Sequence, residues 1–429
     1  MGVRSAGRTD RSLTSLRSLV VAGCLALLVA MLLQPSQAAA LPPPWNNFTF
    51  DTAVVEQTGP EVMVYDWSVQ KCIDNDIPDT PHRAFKDNTG KVQLLSTHFE
   101  NYRNIAQTTL DSPYTHSCAK LMTTTNSPDV STYNSREWIS SPWTADGQTV
   151  YALVHNEYQG SQFLPNCETY AYQCWWNSIT SAVSTDGGAT YTNAGPGHAV
   201  ATLPWQLTKN GPHGYFTPSN IVRSGDGWFY AFIRPSRYPK DITLPEVQPM
   251  GACLMRTRDL SNPQSWRAWN GSTFSVQFDN PYLGPVVNPA DHVCAPVDFN
   301  SIGAITESLT YNTYLKKWML VGMSTGDDAF NKPPGVYYAL SDDLLNWSNV
   351  ELLMEAEINW DRNCQLPDPI KEVSILDPAS KSRNFETVGQ TAQLFYTWYH
   401  MIYHSSTNCS GTLDRDILRV PIRFNLPPG

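Results

Sequence analysis

Short stretches of alternating apolar and polar residues, separated by tight turns, repeat along this chain. Five pairs of stretches rich in β-branched and aromatic residues are predicted to form hairpins. They lie at 83–85 and 91–95, 138–139 and 149–154, 220–222 and 228–233, 308–311 and 317–321, and 373–376 and 393–398. The turns at 88–90, 145–147 and 225–227 carry Asn, Asp and Gly, which tolerate positive φ. No comparable stretch has helical apolar spacing, so we predict an all-β protein.

A second hairpin follows several of the first ones, and its turn resembles an Asp-box at 184–191, 258–266 and 341–347. Two hairpins make one four-stranded blade, and five such units are predicted to close into a five-bladed β-propeller. The starts of the five units span 290 residues, or about 72 per unit, so long loops are expected. In the last blade, 416–420 supplies a third strand and 62–65 the fourth.

The N-terminus has the pattern of a signal peptide. Four Arg residues precede an apolar run from Leu19 to Leu33, and Ala38-Ala39-Ala40 supplies small residues for cleavage. The run is shorter than the roughly 20 residues that a membrane-spanning helix needs. We therefore expect a signal peptide at 1–40, an N-terminal segment at 41–71 that closes the last blade, and a propeller at 72–429. The mature protein is expected to be secreted, without membrane attachment.

The charge of the chain argues against nucleic-acid binding. The formal net charge is −10, and removal of four Arg and one Asp with the signal peptide makes it −13. An acidic surface repels phosphate backbones, and the sequence has no Lys/Arg cluster that would act as a basic patch. We expect a monomer whose partner is a carbohydrate.

The cysteines predict disulfides. Eight cysteines remain after signal cleavage, and an even number in an exported protein indicates four bridges, although 105 connectivities are possible. Cys-x-x-Cys spacing, typical of zinc sites, is absent. Four sequons, at Asn47, Asn270, Asn346 and Asn408, are expected at the surface if the host glycosylates. We expect sequential pairing: Cys72 with Cys118, Cys167 with Cys174, Cys253 with Cys294, and Cys364 with Cys409.

Propeller geometry places a candidate site. The innermost strand of each blade starts at the face where its antiparallel neighbour ends, so polar residues at both places converge on one central pocket. The strand starts contribute Asp76, Asp79, Arg83, Ser140, Asn220, Glu307 and Glu372. The strand ends contribute His98, His155, Glu157, Arg234, Asp327 and His400.

Carboxylates in this set suit glycoside hydrolysis, which needs one protonated and one ionised carboxyl group. Glu307 and Glu157 have apolar neighbours that raise a carboxyl pKa, so either is a candidate acid. Asp79, near Arg83, should stay ionised and is the candidate base or nucleophile. Equally, each carboxylate at a strand end has the alternative role of a salt-bridge or turn partner. The candidates for substrate binding, or else for structural hydrogen bonds, are Arg83, His98, His155, Asn220 and Glu372.

Other chemistries find less support. His-Glu-x-x-His and Gly-x-x-x-x-Gly-Lys are absent, and no cofactor is expected. His400 and His404 have the spacing of helical zinc ligands, but His400 ends a predicted strand, so we assign no metal. Trp175 and Trp176 suit either sugar stacking or blade packing.

The turn at Ser184 to Tyr191 resembles the Asp-box of sialidases. The blade number and the Ser-x-Asp-Leu-x-x-Trp turn at Ser341 resemble five-bladed glycoside hydrolases of the arabinanase, xylosidase and fructosidase type. This resemblance spans residues 76–424 and implies a β-propeller acting on glycans. It places Asp79 at the position of the first-blade aspartate of those enzymes.

Two functions from different classes remain. The first is a secreted glycoside hydrolase, and the second is a non-catalytic propeller that binds glycan or protein. An enzyme should hold two carboxyl groups about 5–5.5 Å or about 6.5–9.5 Å apart in one pocket, which a binding module does not require.

Overall fold

The computed structural model describes residues 49–51, 54–168, 173–193, 197–211, 213–236, 248–325, 333–358, 364, 368–405 and 408–425. Across these residues strands predominate, which confirms the all-β prediction. Within the described ranges the helices are single turns: α1 (Trp67–Gln70), α2 (Phe299–Ile302) and the 3-10 turns Val130–Thr132, Gly160–Gln162, Pro263–Ser265 and Pro289–His292. No helix in the described ranges has the length and apolarity to cross a membrane. The first three strands are β1 (Thr49–Phe50), β2 (Val55–Gln57) and β3 (Val62–Tyr65).

Group one is a four-stranded antiparallel meander. Its strands are β4 (Arg83–Lys86), β5 (Val92–Leu95), β6 (Arg103–Ala106) and β7 (Tyr114–Ser117). Asp87 explains the first turn, because its Oδ1 accepts the backbone N–H groups of Thr89 at 2.8 Å and Lys91 at 3.0 Å.

Group two continues the same pattern with longer strands. They are β8 (Arg136–Thr144), β9 (Val150–Gln159), β10 (Trp175–Ser184), β11 (Thr192–Asn193) and β12 (Ala199–Ala201). The order is β8-β9-β10, and both short strands pair with β10. The turn after β10 is held by Asp186, whose Oδ1 accepts the N–H groups of Ala189 at 3.0 Å and Thr190 at 2.9 Å.

Group three is joined to group two by a bridging strand. Its strands are β13 (Gly214–Phe216), β14 (Val222–Arg223), β15 (Phe229–Ser236), β16 (Cys253–Thr257), β17 (Arg267–Trp269) and β18 (Phe274–Val276). Strand β13 pairs parallel with β10 at Asn177 and antiparallel with β15. Gly214 is required there, because φ is +92° and a Cβ would lie 2.0 Å from the Asn177 carbonyl oxygen.

Groups four and five complete the chain. Group four has β19 (Ser308–Asn312), β20 (Lys317–Ser324), β21 (Gly335–Ser341) and β22 (Glu351–Glu355), with β1 paired to β22. Group five has β23 (Ile370–Leu376), β24 (Thr387–Val388), β25 (Thr391–Ser405) and β26 (Asn408–Phe424). Its order is β23-β25-β26, β2 and β3 both pair with β26, and β24 pairs with β19.

All five hairpins predicted from the sequence form. They are β4-β5, β8-β9, β14-β15, β19-β20 and β23-β25, and each is antiparallel. The predicted contact of residues 62–65 with 416–420 is also present, since Tyr65 pairs with Ile417 and Val62 with Arg419. These features were predictable because alternation and turn residues are local signals.

Five clusters of buried apolar residues form the core, and each combines two strand groups. Groups one and two, two and three, three and four, and four and five share one cluster each. The fifth cluster joins group five to group one through residues such as Phe395 and Ala84. Every group therefore buries its faces against two others, as layered β architectures require.

A short stretch of group five, residues 383–388, which we call the crossing segment, contacts all four other groups. Arg383 donates to two backbone carbonyls, and Asn384 bonds both the N–H and the carbonyl of one residue, Thr144. Glu386 accepts both an indole and a backbone N–H. The partners of the segment are Lys86 and Asp87 of group one, Trp143 and Thr144 of group two, Arg223 of group three, and Tyr311 and Thr313 of group four. The innermost strands of groups one to four therefore come together at this segment.

The four predicted disulfides are confirmed. Cys72–Cys118, Cys167–Cys174, Cys253–Cys294 and Cys364–Cys409 are bonded, with Cα–Cα distances between 5.5 and 5.9 Å. The sequons at Asn270, Asn346 and Asn408 are exposed, whereas Asn47 and the predicted signal peptide lie outside the described residues.

Candidate active site

A cavity of about 500 Å³ opens at the ends of the innermost strands that are remote from the crossing segment. This volume falls in the range typical of small-molecule sites. The lining residues come from all five groups and their flanking loops: Asp79, Pro81, Trp138, His155, Glu157, Trp175, His213, Phe216, Thr217, Arg234, Thr306, Glu307, Met323, Lys371 and Glu372.

Glu307 lies immediately before β19, and its carboxyl group packs against main-chain atoms. Its Oε2 accepts the N–H of Thr306 at 2.9 Å. Burial raises the pKa of Glu307, although Arg234 and backbone N–H groups, including that of Met323, oppose the rise. A buried carboxyl with a raised pKa retains its proton to higher pH, which a general acid needs.

Asp79, in the segment before β4, has the opposite electrostatic setting. Lys371 Nζ lies 2.9 Å and Arg415 Nη1 2.7 Å from its Oδ1. Burial alone would raise the pKa of Asp79, but these two cations outweigh it and lower the pKa below its usual range. Asp79 is therefore ionised, and both cations hold the same oxygen.

Glu372 faces the cavity from an irregular point in β23. The register of β23 against β25 shifts between Lys371 and Ser374, and Glu372 has φ of +58°, which is rare for a residue with a side chain. Lys371 Nζ lies 3.0 Å from Glu372 Oε1 and 2.9 Å from Asp79 Oδ1, so these two oxygens are at most 5.9 Å apart. Strained backbone of this kind often accompanies functional sites.

Glu157 and His155 both face the cavity from β9, as the two-residue alternation of a strand predicts. His155 is fixed by Asn177 Oδ1 at 3.0 Å and Thr217 Oγ1 at 3.2 Å, and its Nε2 lies 3.9 Å from Glu157 Oε1. Glu157 also accepts a hydrogen bond from Gln159 at 3.0 Å. Glu157 is thus a half-buried carboxylate of the cavity wall, and Arg136, its cross-strand neighbour in β8, interacts with it electrostatically.

Aromatic rings form much of the wall. His155 stacks on Trp138 with 5.6 Å between ring centroids, and Trp175 contacts both His213 and Phe216. The two adjacent tryptophans of β10 face opposite ways: Trp175 lines the cavity, whereas Trp176 is buried in the core. Trp176 therefore packs in the core, whereas Trp175 remains a candidate for sugar stacking.

Three of the predicted binding residues do not line the cavity, which corrects the strand-end mapping. Arg83 is buried and donates to Ser374 Oγ and to the backbone carbonyls of His82, Pro218 and Glu307. It is Lys371 and Arg415, not Arg83, that contact Asp79.

Asn220 instead holds two strand groups together. Its side chain donates to the carbonyl of Leu309 and accepts the N–H of the same residue at 2.8 Å. His98 lies behind the cavity wall, where its ring is tilted against Phe99 and meets Trp138 edge-on. Burial there lowers the pKa of His98 to about 4 and keeps its imidazole neutral.

Other members of the mapped set have structural partners. Asp76 accepts from His116 and from the Cys72 N–H, and Ser140 donates to the Trp138 carbonyl. Asp327 lies outside the described residues. Arg234 does line the cavity.

Sequence reasoning missed several wall residues. Lys371 had the clearest signal, since it precedes Glu372 at the start of a predicted strand. No sequence signal indicated Thr217, His213 or Met323, because only the folded chain brings the bridging strand β13 and the end of β20 to the same wall.

Among the residues that the structure describes, two clusters bring potential metal ligands close together. In the first, Cys72 is bonded in a disulfide and offers no thiolate. In the second, His400 Nε2 already bonds Asp416 Oδ2 at 2.7 Å, with Asp414 Oδ1 at 3.9 Å. His400 and His404 both lie in β25, where four residues span about 13 Å, so they cannot share an ion.

No family model matches the chain, and no curated protein matches it. Solved structures do resemble it. An N-acetylgalactosamine deacetylase from F. plautii is 11% identical, with 85% of this chain and 95% of that chain covered and a TM-score of 0.44. An exo-inulinase from Aspergillus awamori is 13% identical, with 84% of this chain and 63% of that chain covered and a TM-score of 0.43. A xylan β-1,4-xylosidase from Bacillus halodurans is 9% identical, with 80% of this chain and 53% of that chain covered and a TM-score of 0.39. These similarities are too remote to assign a function.

Proposed function

We propose that the five strand groups are the blades of a closed five-bladed β-propeller. Two observations support closure: the buried cluster that joins group five to group one, and the crossing segment that contacts the four other groups. Arg83 adds a third, since one guanidinium donates to carbonyls or hydroxyls before β4, before β14, before β19 and within β23. The cavity then lies on the axis, at the face where the innermost strands begin.

On this basis we propose that the protein is a glycoside hydrolase. The observation that carries the proposal is a single cavity that holds two carboxyl groups in opposite settings: Glu307, whose pKa is raised by burial, and Asp79, an ionised carboxylate held by two cations. Cleavage of a glycosidic bond needs both at once. The aromatic wall around Trp138 and Trp175 suits the apolar face of a sugar ring.

Each carboxyl group has a distinct role in this proposal. Glu307 protonates the departing glycosidic oxygen. Asp79 activates water or attacks the anomeric carbon through Oδ2, because Lys371 and Arg415 both occupy Oδ1. Glu157 and Glu372 bind sugar hydroxyl groups, with His155 held in place to assist.

A non-catalytic propeller that binds glycan remains the second candidate. The contacts of Asp79 favour it, because a carboxylate paired with two cations is also a common structural arrangement. Such a module would bind sugar through the same aromatic wall and would not depend on the protonation of Glu307.

We further propose that residues 1–40 are a signal peptide, that the protein is exported as a monomer, and that residues 41–71 complete the last blade. The four disulfides support export, because bridges persist in oxidising compartments. Pairing of β2 and β3 with β26 supports the role of the N-terminal segment.

A substrate screen and one conservative variant test the hydrolase. The purified protein is assayed on arabinan, xylan, fructan, sialoside and galactan, and on activated aryl glycosides. Glu307→Gln should reduce turnover of the natural glycan by about 10²–10⁴ while sparing aryl substrates, which need little protonation of the leaving group. Glu355→Gln, at an exposed site on β22, is the control. Glycan binding without hydrolysis of any substrate would favour the binding module.

A further inference from the structure

The carboxyl group of Glu307 occupies space that exists because residue 322 has no side chain. Gly322 lies in the middle of β20, paired with Tyr337 of β21. A Cβ at Gly322 would lie 2.0 Å from Glu307 Oε2 and 3.0 Å from Glu307 Cδ. Real Cβ atoms do not approach other atoms this closely, so an alanine and the present Glu307 rotamer are incompatible.

We propose that Gly322 is a positioning residue that holds the Glu307 carboxyl group against the β20 backbone. The inference rests on the proposed hydrolase function of Glu307. The absence of a Cβ lets Oε2 reach the Thr306 N–H, and lets the carboxyl accept the N–H of Met323. The glycine thereby fixes both the direction of the acid and its burial.

The local geometry supports a role beyond strand packing. A glycine within a strand weakens it and often marks close approach of another group. Here the atom that approaches is the mobile tip of a side chain, so the easiest response to an added methyl group is rotation of Glu307 toward the cavity. The second neighbour, Ile305 Cβ at 2.7 Å, is less able to move and would add a loss of stability.

Gly322→Ala should therefore impair the reaction in a way that a packing defect would not. Displacement of a reacting group by about 1 Å can cost on the order of 10²-fold in turnover, so we expect a loss of this size on natural glycans. Activated aryl glycosides should lose much less. The alkaline limb of the pH–activity profile should move to lower pH, because the displaced carboxyl leaves the burial that raises its pKa.

A double-mutant cycle in stability separates this inference from the hydrolase proposal. Gly322→Ala is compared in the natural and the Glu307→Ala backgrounds by thermal unfolding, with Gly411→Ala as the control. Gly411 also lies in a strand, but its Cβ would meet only Met401 Sδ, at 3.8 Å. The loss in Tm from Gly322→Ala should be at least about twofold smaller when Glu307 is absent.

Each possible result either supports or contradicts the positioning role of Gly322. Equal losses in both backgrounds would assign the clash to Ile305 and overturn the inference. If Gly322→Ala does not fold, Glu307→Ala/Gly322→Ala should fold, and its failure would also overturn the inference. If no glycoside is hydrolysed, the function proposal fails while the stability cycle still reports whether Gly322 and Glu307 are coupled.

Discussion

Glu137 is a buried carboxyl group outside the cavity, and it should make the stability of the protein depend on pH. It lies in β8 with 1% exposure, and its Oε1 accepts a hydrogen bond from Asn193 at 2.8 Å. Burial raises the pKa of Glu137 from 4.5 to about 7, and the Asn193 bond opposes this only in part. The Glu137→Gln variant keeps the shape and the acceptor for Asn193 but cannot ionise.

Proton linkage gives the direction in which the stability changes with pH. Below pH 4.5 the carboxyl group is protonated in both the folded and the unfolded protein, so its burial does not lower the free energy of unfolding. Between pH 4.5 and 7 the unfolded chain ionises first and the folded protein loses stability with rising pH. Above about pH 7 the full difference applies, about 3 kcal/mol at about 1.4 kcal/mol per pKa unit. Glu137→Gln should therefore exceed the natural protein in stability by up to about 3 kcal/mol at pH 8.5 and match it near pH 4.

Urea unfolding at half-unit steps from pH 4 to 9 measures this difference directly. Glu355→Gln, the same exchange at an exposed position, serves as the control. A difference between Glu137→Gln and the natural protein that stays constant from pH 4 to 9 would refute the reasoning, because it would mean that Glu137 has the same pKa in the folded and unfolded chain.

Three further outcomes are expected. Lys371→Met removes a cation from Asp79 and so raises the pKa of that carboxyl group. The acid limb of the pH–activity profile should therefore move to higher pH by about one unit or more. An acid limb that does not move would exclude Asp79 as the base. Trp175→Ala should raise KM roughly fivefold, for about 1 kcal/mol of stacking, with kcat preserved, and an unchanged KM would exclude the platform. Replacing both Cys253 and Cys294 by Ser opens a bridge between residues 41 apart and should cost about 4 kcal/mol in urea unfolding; a loss below about 1 kcal/mol would contradict the loop-entropy argument.

The sequence predicted the hairpins and much of the cavity because both depend on local signals. Alternation and the turn residues at 88–90 fix the strands, and strand ends then bring Asp79, Glu157 and Glu307 to one cavity. The errors concern residues whose partners are distant in the chain. Arg83 donates to the carbonyl of Glu307, 224 residues away, and no local pattern indicates such a bond.

Asn220 is a second residue whose role depends on a partner that is distant in the sequence. A side-chain amide that binds the backbone N–H and carbonyl of one residue, Leu309, looks in the sequence like any polar residue at a strand start. The strain at Glu372 was equally invisible, because positive φ at a residue with a side chain is imposed by the surrounding fold and not by its neighbours in sequence.

The pairing of the two chain ends has a consequence for the order of assembly during synthesis. Strands β2 and β3 find their partner only in β26, and the Trp67 N–H bonds Asp416, 349 residues later. The early strands therefore stay unpaired until residues 408–424 have been synthesised, and the crossing segment at 383–388 is made only shortly before them. Such distant pairing makes the final step slow and leaves strand edges exposed meanwhile. For the export proposed above, this late pairing has a use, because a chain that has not yet folded can still pass through a translocation channel.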